Sequence, residues 1–297
     1  MTRIPCRSTA LLAPFIALSV LAQPVITVQE YGEAPRDEIR YQFTPDATAR
    51  ATMTMNMQMS MSMGAVQMPS TPIPAIGVPI TMRTTEVRGD GSARYEFEFG
   101  APVIAEGSGG NPALAQMLET SLAAIAGSTG WYRIDSRGNL LESSFNVPAG
   151  TPDQAGQMIN EMQNQMYQLS APFPAEAVGA GARWQLTTSV VISGTPLMMT
   201  TGYTLLRRDG DLVELGLTTD QGTAGAPAPV PGLPPETEAT VSTNDGGGTG
   251  KMTIDLKTML PTMEMSSSSS TSTTMQMQGQ AQTMTMAMQM TMSITPD

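Results

Sequence analysis

Twelve apolar positions in two stretches constrain this chain more than anything else in it. Met53, Met55, Met57, Met59, Met61 and Met63 alternate with Thr, Asn, Gln and Ser. Near the other end Met284, Met286, Met288, Met290, Met292 and Ile294 alternate with Thr, Ala, Gln and Ser. A period of two puts every sulfur of a stretch on one face of an extended strand and the amides and hydroxyls on the other. Neither stretch fits a helix. The apolar parity changes from odd at Met277 to even at Met284, so a turn or bulge near Gly279 must reset the face.

The remaining pattern is mostly β. Thr81–Val87 and Tyr95–Phe99 flank Arg88-Gly89-Asp90-Gly91, which predicts a hairpin burying Tyr95, Phe97 and Phe99, with Glu96 and Glu98 outward. A second hairpin is expected around Ser136-Arg137-Gly138, and a meander over Trp184–Ile192, Leu197–Leu206 and Leu212–Thr218. Shorter strands are expected at Glu238–Ser242, Lys251–Leu256, Thr262–Ser266 and Thr273–Gln278, with Gly246-Gly247-Gly248 as a turn between strands. Pro-rich residues 69–79 interrupt the pattern.

Two segments read as helices. Asn111 looks like a cap for Leu114, Met117, Leu118, Leu122 and Ile125, a run ended by Gly127. Thr151 precedes a helix from about Pro152 to Leu169, with Met158, Ile159, Met162, Met166 and Leu169 on one face. The expected fold is therefore mainly β with two helices: a large curved antiparallel sheet or open half-barrel holding the helices on its concave side.

Arg3 and Arg7 precede an apolar run from Leu11 to Leu21, with Val20 and Ala22 at a cleavage position before Gln23. This predicts a signal peptide over 1–22 and a periplasmic or extracellular protein. A polar lead-in over 23–37, read as flexible, and a single β-rich domain over 38–297 follow, with a Pro/Gly-rich loop at 221–235. No stretch is long and apolar enough for a helical membrane anchor. An outer-membrane barrel would call for aromatic girdles and an aromatic C-terminus, where this chain has Thr295-Pro296-Asp297.

The residue inventory narrows the chemistry. There is no histidine, and Cys6, the one cysteine, lies inside the expected leader. Imidazole bases, His-based metal sites, thiol catalysis and disulfides are therefore not expected. Glu96 and Glu98 read as a solvated strand face, and no cofactor fingerprint is present. The chain is read as non-enzymatic. Its formal charge of −11, with Lys251 and Lys257 as the only lysines, argues against nucleic acid.

Pro174-Ala175-Glu176-Ala177-Val178-Gly179 and Gly181, leading into Arg183-Trp184, are followed by Tyr203-Thr204-Leu205-Leu206 before Asp209-Gly210. Gly248-Thr249-Gly250, Thr253-Ile254-Asp255-Leu256 and a strand ending in Ser266 come next. This order resembles a family of uncharacterised secreted bacterial β-rich proteins whose layout is similar to the periplasmic lipoprotein-carrier superfamily, an open half-barrel with helices at its mouth. The resemblance implies an apolar cavity able to take an acyl chain, and no catalytic residues.

The methionines remain as candidate site residues. Core filling accounts for an apolar stripe but not for Met in place of Val and Ile, which suit strands better. Pliable, polarizable thioethers lining a pocket for an apolar small molecule or lipid would account for it. The same lining could instead hold an envelope partner, and the alternatives are soft-metal binding of Cu(I) or Ag(I) by Met-x-Met pairs on the same strands, or a purely structural envelope protein.

Overall fold

The computed structural model describes residues 25–64, 66–68, 70–105, 123, 126–146, 170–192, 195–223, 228–229, 239–258, 260–277 and 280–297. The described strands are β1 (Val25–Glu30), β2 (Thr48–Met63), β3 (Val66–Gln67), β4 (Thr71–Val87), β5 (Ala93–Phe99), β6 (Val103–Ile104), β7 (Thr129–Ile134) and β8 (Leu140–Asn146). They continue with β9 (Arg183–Ile192), β10 (Thr195–Asp209), β11 (Leu212–Thr223), β12 (Ala228–Pro229), β13 (Ala239–Asp255), β14 (Thr262–Met277) and β15 (Gln280–Pro296). All belong to one open antiparallel sheet ordered β1-β9-β10-β11-β13-β14-β15-β2-β4-β5-β7-β8, with β3, β6 and β12 as short side pairs.

That order is two meanders spliced together. Strands β2, β4, β5, β7 and β8 form one, and β9, β10, β11, β13, β14 and β15 the other, with β1 on its outer edge. The splice is the β15–β2 pairing, where both methionine stretches meet. The change of parity across residues 277–284 follows from the hairpin: Met277 pairs with Gln280, so odd positions of β14 share a face with even positions of β15.

The expectation of helices on the concave side is corrected by this architecture. No helix is present among the described elements, and the segments read as helices, at Asn111–Gly127 and Pro152–Leu169, fall almost wholly outside the described residues. What closes one end of the curved sheet is loop. Residues 31–47 and 170–182 lie across it, with Ile39, Tyr41, Ala171, Phe173, Val178 and Ala182 buried. An unbroken chain of rings, Tyr203–Trp184–Phe173–Tyr41–Phe43–Tyr95–Tyr132, crosses from β10 to β7 at centroid separations of 5.6, 6.3, 5.2, 5.4, 5.4 and 5.6 Å. Strands far apart in the sheet order are thereby brought together.

Backbone bonds fix these loops. Tyr41 N donates to Ser136 O (2.7 Å), Gln42 N to Leu256 O (2.8 Å) and Phe173 N to Arg137 O (2.7 Å), while Asp37 and Val178 form a two-way bridge. The Trp184 indole N–H donates to Pro172 O at 2.9 Å. The Pro174–Gly179 motif thus runs along the loop at residues 31–38. At Gly179 a Cβ would sit 1.7 Å from Glu33 O, so only glycine permits the approach.

Both predicted hairpins are present. In β5, Ala93, Tyr95, Phe97 and Phe99 are buried and Glu96 and Glu98 exposed. Several readings need revision. Gly246-Gly247-Gly248 is not a turn but the middle of β13, and the Ser266–Ser270 run lies inside β14, so short predicted strands fuse into long ones of 17 and 16 residues. Pro72, Pro74 and Pro79 are inside β4, where the register shifts between Met55 and Met57. Val25–Glu30, within the lead-in, pair with β9 as β1, and residues 221–223 of the expected loop belong to β11. Residues 1–24, including the expected leader, lie outside the described residues.

Candidate functional site: a paired methionine ladder

Residues directly opposite each other in an antiparallel pair share a face. The β2–β15 register therefore sets Met55 against Met292, Met57 against Met290, Met59 against Met288, Met61 against Met286 and Met63 against Met284, with Met53 facing Ile294. All eleven methionines expected as site residues line one face. They form two adjacent columns, five sulfur pairs deep.

Burial along the ladder is graded. Met53 (3% exposed) and Ile294 (0%) belong to the core with Met252, Met263 and Val78. Met55, Met57, Met59, Met61, Met63, Met284, Met286, Met290 and Met292 are half-buried, and Met288 is exposed at 38%. The gradient follows the hydrophobic core: Met53 and Ile294 lie within the buried cluster that contains the loop residues Ile39, Tyr41 and Phe173, Met55, Met57 and Met292 pack against its margin, and the later rungs lie beyond it.

Rows crossing the sheet show what faces the ladder. One row reads Trp184, Tyr203, Leu217, Gly250, Met265, Met292, Met55, Ile76. Two residues further from the closed end it becomes Leu186, Thr201, Thr219, Gly248, Ser267, Met290, Met57, Ile73. The next is Met199, Gln221, Gly246, Ser269, Met288, Met59, Thr71. The rings of β9 and β10 thus give way to Leu and Thr, and Met265 of β14 to serines, while β13 presents Gly in every row and the methionines persist on β15 and β2. The result is a thioether wall beside a floor with little side-chain volume.

Of the methionines outside the predicted set that share this face, Met265 and Met68 lie beside the paired columns themselves. Met265 extends the Met55–Met292 rung. Met68, exposed at 44%, donates its N–H to the Met61 carbonyl at 2.8 Å and so lies beside Met61. A lone methionine next to a Pro-rich stretch carries no periodic signal, and for Met265 the signal was cut off by the serine run.

The reverse face is polar. Thr54, Ser293, Glu264 and Lys251 form one row, and Asn56, Thr291, Ser266 and Thr249 the next. Two adjoining shallow depressions of about 620 and 670 Å³ lie over these rows. Glu96, on the solvated face of β5, lies 3.5 Å from Arg94 in a surface ion pair. Burial pushes the hydroxyls of Tyr41, Tyr95, Tyr132 and Tyr203 well above the ordinary phenol range, so the aromatic seam is neutral. Among the described residues no group of three or more acidic, His or Cys side chains could hold a metal ion, and no helix is long and apolar enough to cross a membrane.

No family model matches the chain, and no curated protein matches it. Among solved structures it is similar to OmpT, an in-vitro folded outer membrane protein of Vibrio cholerae in its trimer form, at 7% identity over 84% of this chain and 100% of that one. The TM-score of 0.20 is too low for that likeness to bear on fold or function.

Proposed function

We propose that this chain is an exported, non-enzymatic protein that holds an apolar ligand, a lipid or the acyl chain of a lipoprotein, against the methionine ladder. The observation that carries the reading is the side-chain-poor strip at Gly246, Gly248, Ser267 and Ser269 beside half-buried methionines on the same face. A wall of flexible thioethers adapts to ligands of varied shape, and the strip beside it leaves room for a chain to lie. The open antiparallel sheet is the feature this reading shares with the lipoprotein-carrier layout. Export to the periplasm or beyond rests on the Arg3–Ala22 leader pattern.

A test is fluorescence titration of the full chain with N-phenyl-1-naphthylamine, an apolar probe. Saturable binding is expected, and replacing Met57, Met59, Met288 and Met290 together by Gln should abolish it while the near-ultraviolet dichroism of the aromatic seam persists. Absence of saturable binding, or binding indifferent to the four changes, overturns the reading.

A second reading is favoured by the register itself. The ladder is the junction of the two meanders, so it also serves as the splice of the sheet. If the Gln variant separates the meanders, seen as loss of amide protection in β2 and β15, the structural role is primary.

A further inference from the structure

The paired register changes what the sulfurs can do together. Along one strand, Met-x-Met holds its side chains about 7 Å apart. Across the β2–β15 pair, opposed Cβ atoms are only about 4.5–5.5 Å apart and diagonal ones about 7–8 Å. A step of two residues preserves the type of antiparallel pair, so every rung has the same spacing. Four methionines on two successive rungs therefore surround a point about 4 Å from each Cβ, which an unbranched side chain with three rotatable bonds can reach.

We propose that Met59, Met61, Met286 and Met288, with Met68 at the margin, form a thioether site for a soft monovalent cation, Cu(I) or Ag(I). Met288 and Met68 are open to solvent at 38% and 44%, so an ion has a way in. Met59, Met61 and Met286 are half-buried, so it is partly dehydrated once there. The flanking residues Ser269, Thr271 and Thr71 bring no fixed charge, and a chain of net charge −11 draws cations towards it. Neutral sulfur donors select soft Cu(I) and Ag(I) over Mg²⁺, Ca²⁺ and Zn²⁺. The inference is independent of the apolar-ligand reading, because it needs sulfur where that reading needs only apolar bulk.

Silver is the cleaner probe, being redox-inert. Calorimetric titration of the full chain with Ag(I) should show saturable binding, and Zn²⁺ should give none. The triple variant Met61→Leu, Met286→Leu, Met288→Leu should weaken Ag(I) binding at least tenfold, because Leu preserves bulk and removes the donor. The same variant should still bind N-phenyl-1-naphthylamine if the apolar reading holds, so the two readings fail separately. Met53→Leu, in the covered core, should leave Ag(I) affinity unchanged. In the unsubstituted chain labelled at methionine methyls, Ag(I) should shift only a small subset of resonances. Retained affinity in the triple variant, an equal loss in Met53→Leu, or a uniform shift of all methyls overturns the proposal.

Discussion

Met53 and Met59 stand three rungs apart on one face of one strand, and replacing each by Ala should have very different consequences. Met53 is 3% exposed and packed with Val78, Met263 and Ile294. Truncation there removes a fully buried side chain and leaves a cavity in the packed core, at a cost of about 2–5 kcal/mol. Met59 is half-buried, beside Thr71 and the exposed Met288. Only part of the ~1.5–3 kcal/mol transfer energy is in play there, and water fills the space, so the cost is about 1 kcal/mol or less. For a chain of this size the thermal midpoint moves about 2–4 °C per kcal/mol, so at about 3.5 kcal/mol Met53→Ala should lower it by about 7–14 °C, and Met59→Ala by less than about 4 °C. A thermal melt gives the midpoints, and urea titration followed by the fluorescence of Trp131 and Trp184 gives the free energies, with equal slopes required for the comparison. Equal losses at the two positions, or a larger one at Met59, would refute the argument that burial along the ladder follows the hydrophobic core.

Gly179→Ala should destabilise by about 3 kcal/mol, because the new methyl meets the Glu33 and Pro35 carbonyls at 1.7 and 2.8 Å; Gly89→Ala, with open space around it, should be neutral in the same thermal melt. Trp184→Phe keeps a ring against Tyr203 but orphans the Pro172 carbonyl, and a loss of about 1–3 kcal/mol is expected in urea. Arg88 and Arg133 hold the Glu86 carboxyl down at about 2 from 4.5. A depressed folded-state value contributes stability that is complete above the unfolded value and lost as pH falls through the folded one, here between about 4.5 and 2. Glu86→Gln should therefore flatten the decline of the urea midpoint between pH 5 and pH 3, and an unchanged decline would remove Glu86 from the account.

How much of this was legible depended on the range of the determining interactions. The methionine strands, the Arg88–Gly91 hairpin and the inward set Tyr95, Phe97, Phe99 are short-range alternations and could be read directly. Strands β13 and β14 could not be read whole, because glycines and serines carry no periodic apolar signal. They are held extended by ladder bonds to neighbours on both sides. Pro72, Pro74 and Pro79 looked like breakers for the same reason, although a long strand with a register shift accommodates them. The loop closure was hidden because Tyr41 and Phe173 reach their partners through the fold, not through spacing. The rungs of the candidate site were hidden most deeply, since β2 and β15 lie near opposite ends of the chain and only their pairing creates a four-sulfur cluster.

The splice between the meanders also poses a problem of alignment. A ladder with methionine at every second position is self-similar: sliding β15 along β2 by two residues puts Met opposite Met again and keeps every side chain on its proper face. The repeated rungs therefore cannot define their own alignment, and mispaired forms displaced by whole rungs would differ little in the energy of the stripe itself. The unique contacts at its end supply the reference mark. Met53 meets Ile294, Pro296 meets Ala51, the Asp297 N–H donates to Arg50 O at 3.1 Å, and Thr52 Oγ1 lies 3.3 Å from the Asp297 carboxylate. Pairing that starts there and zips outward has one answer, whereas pairing that starts among the methionines has several. The contacts of residues 294–297 thus act as the alignment key of the β2–β15 junction, and replacing Ile294 and Pro296 by Met and Thr, which extends the repeat, should yield slow, heterogeneous refolding in stopped-flow kinetics out of proportion to the stability lost.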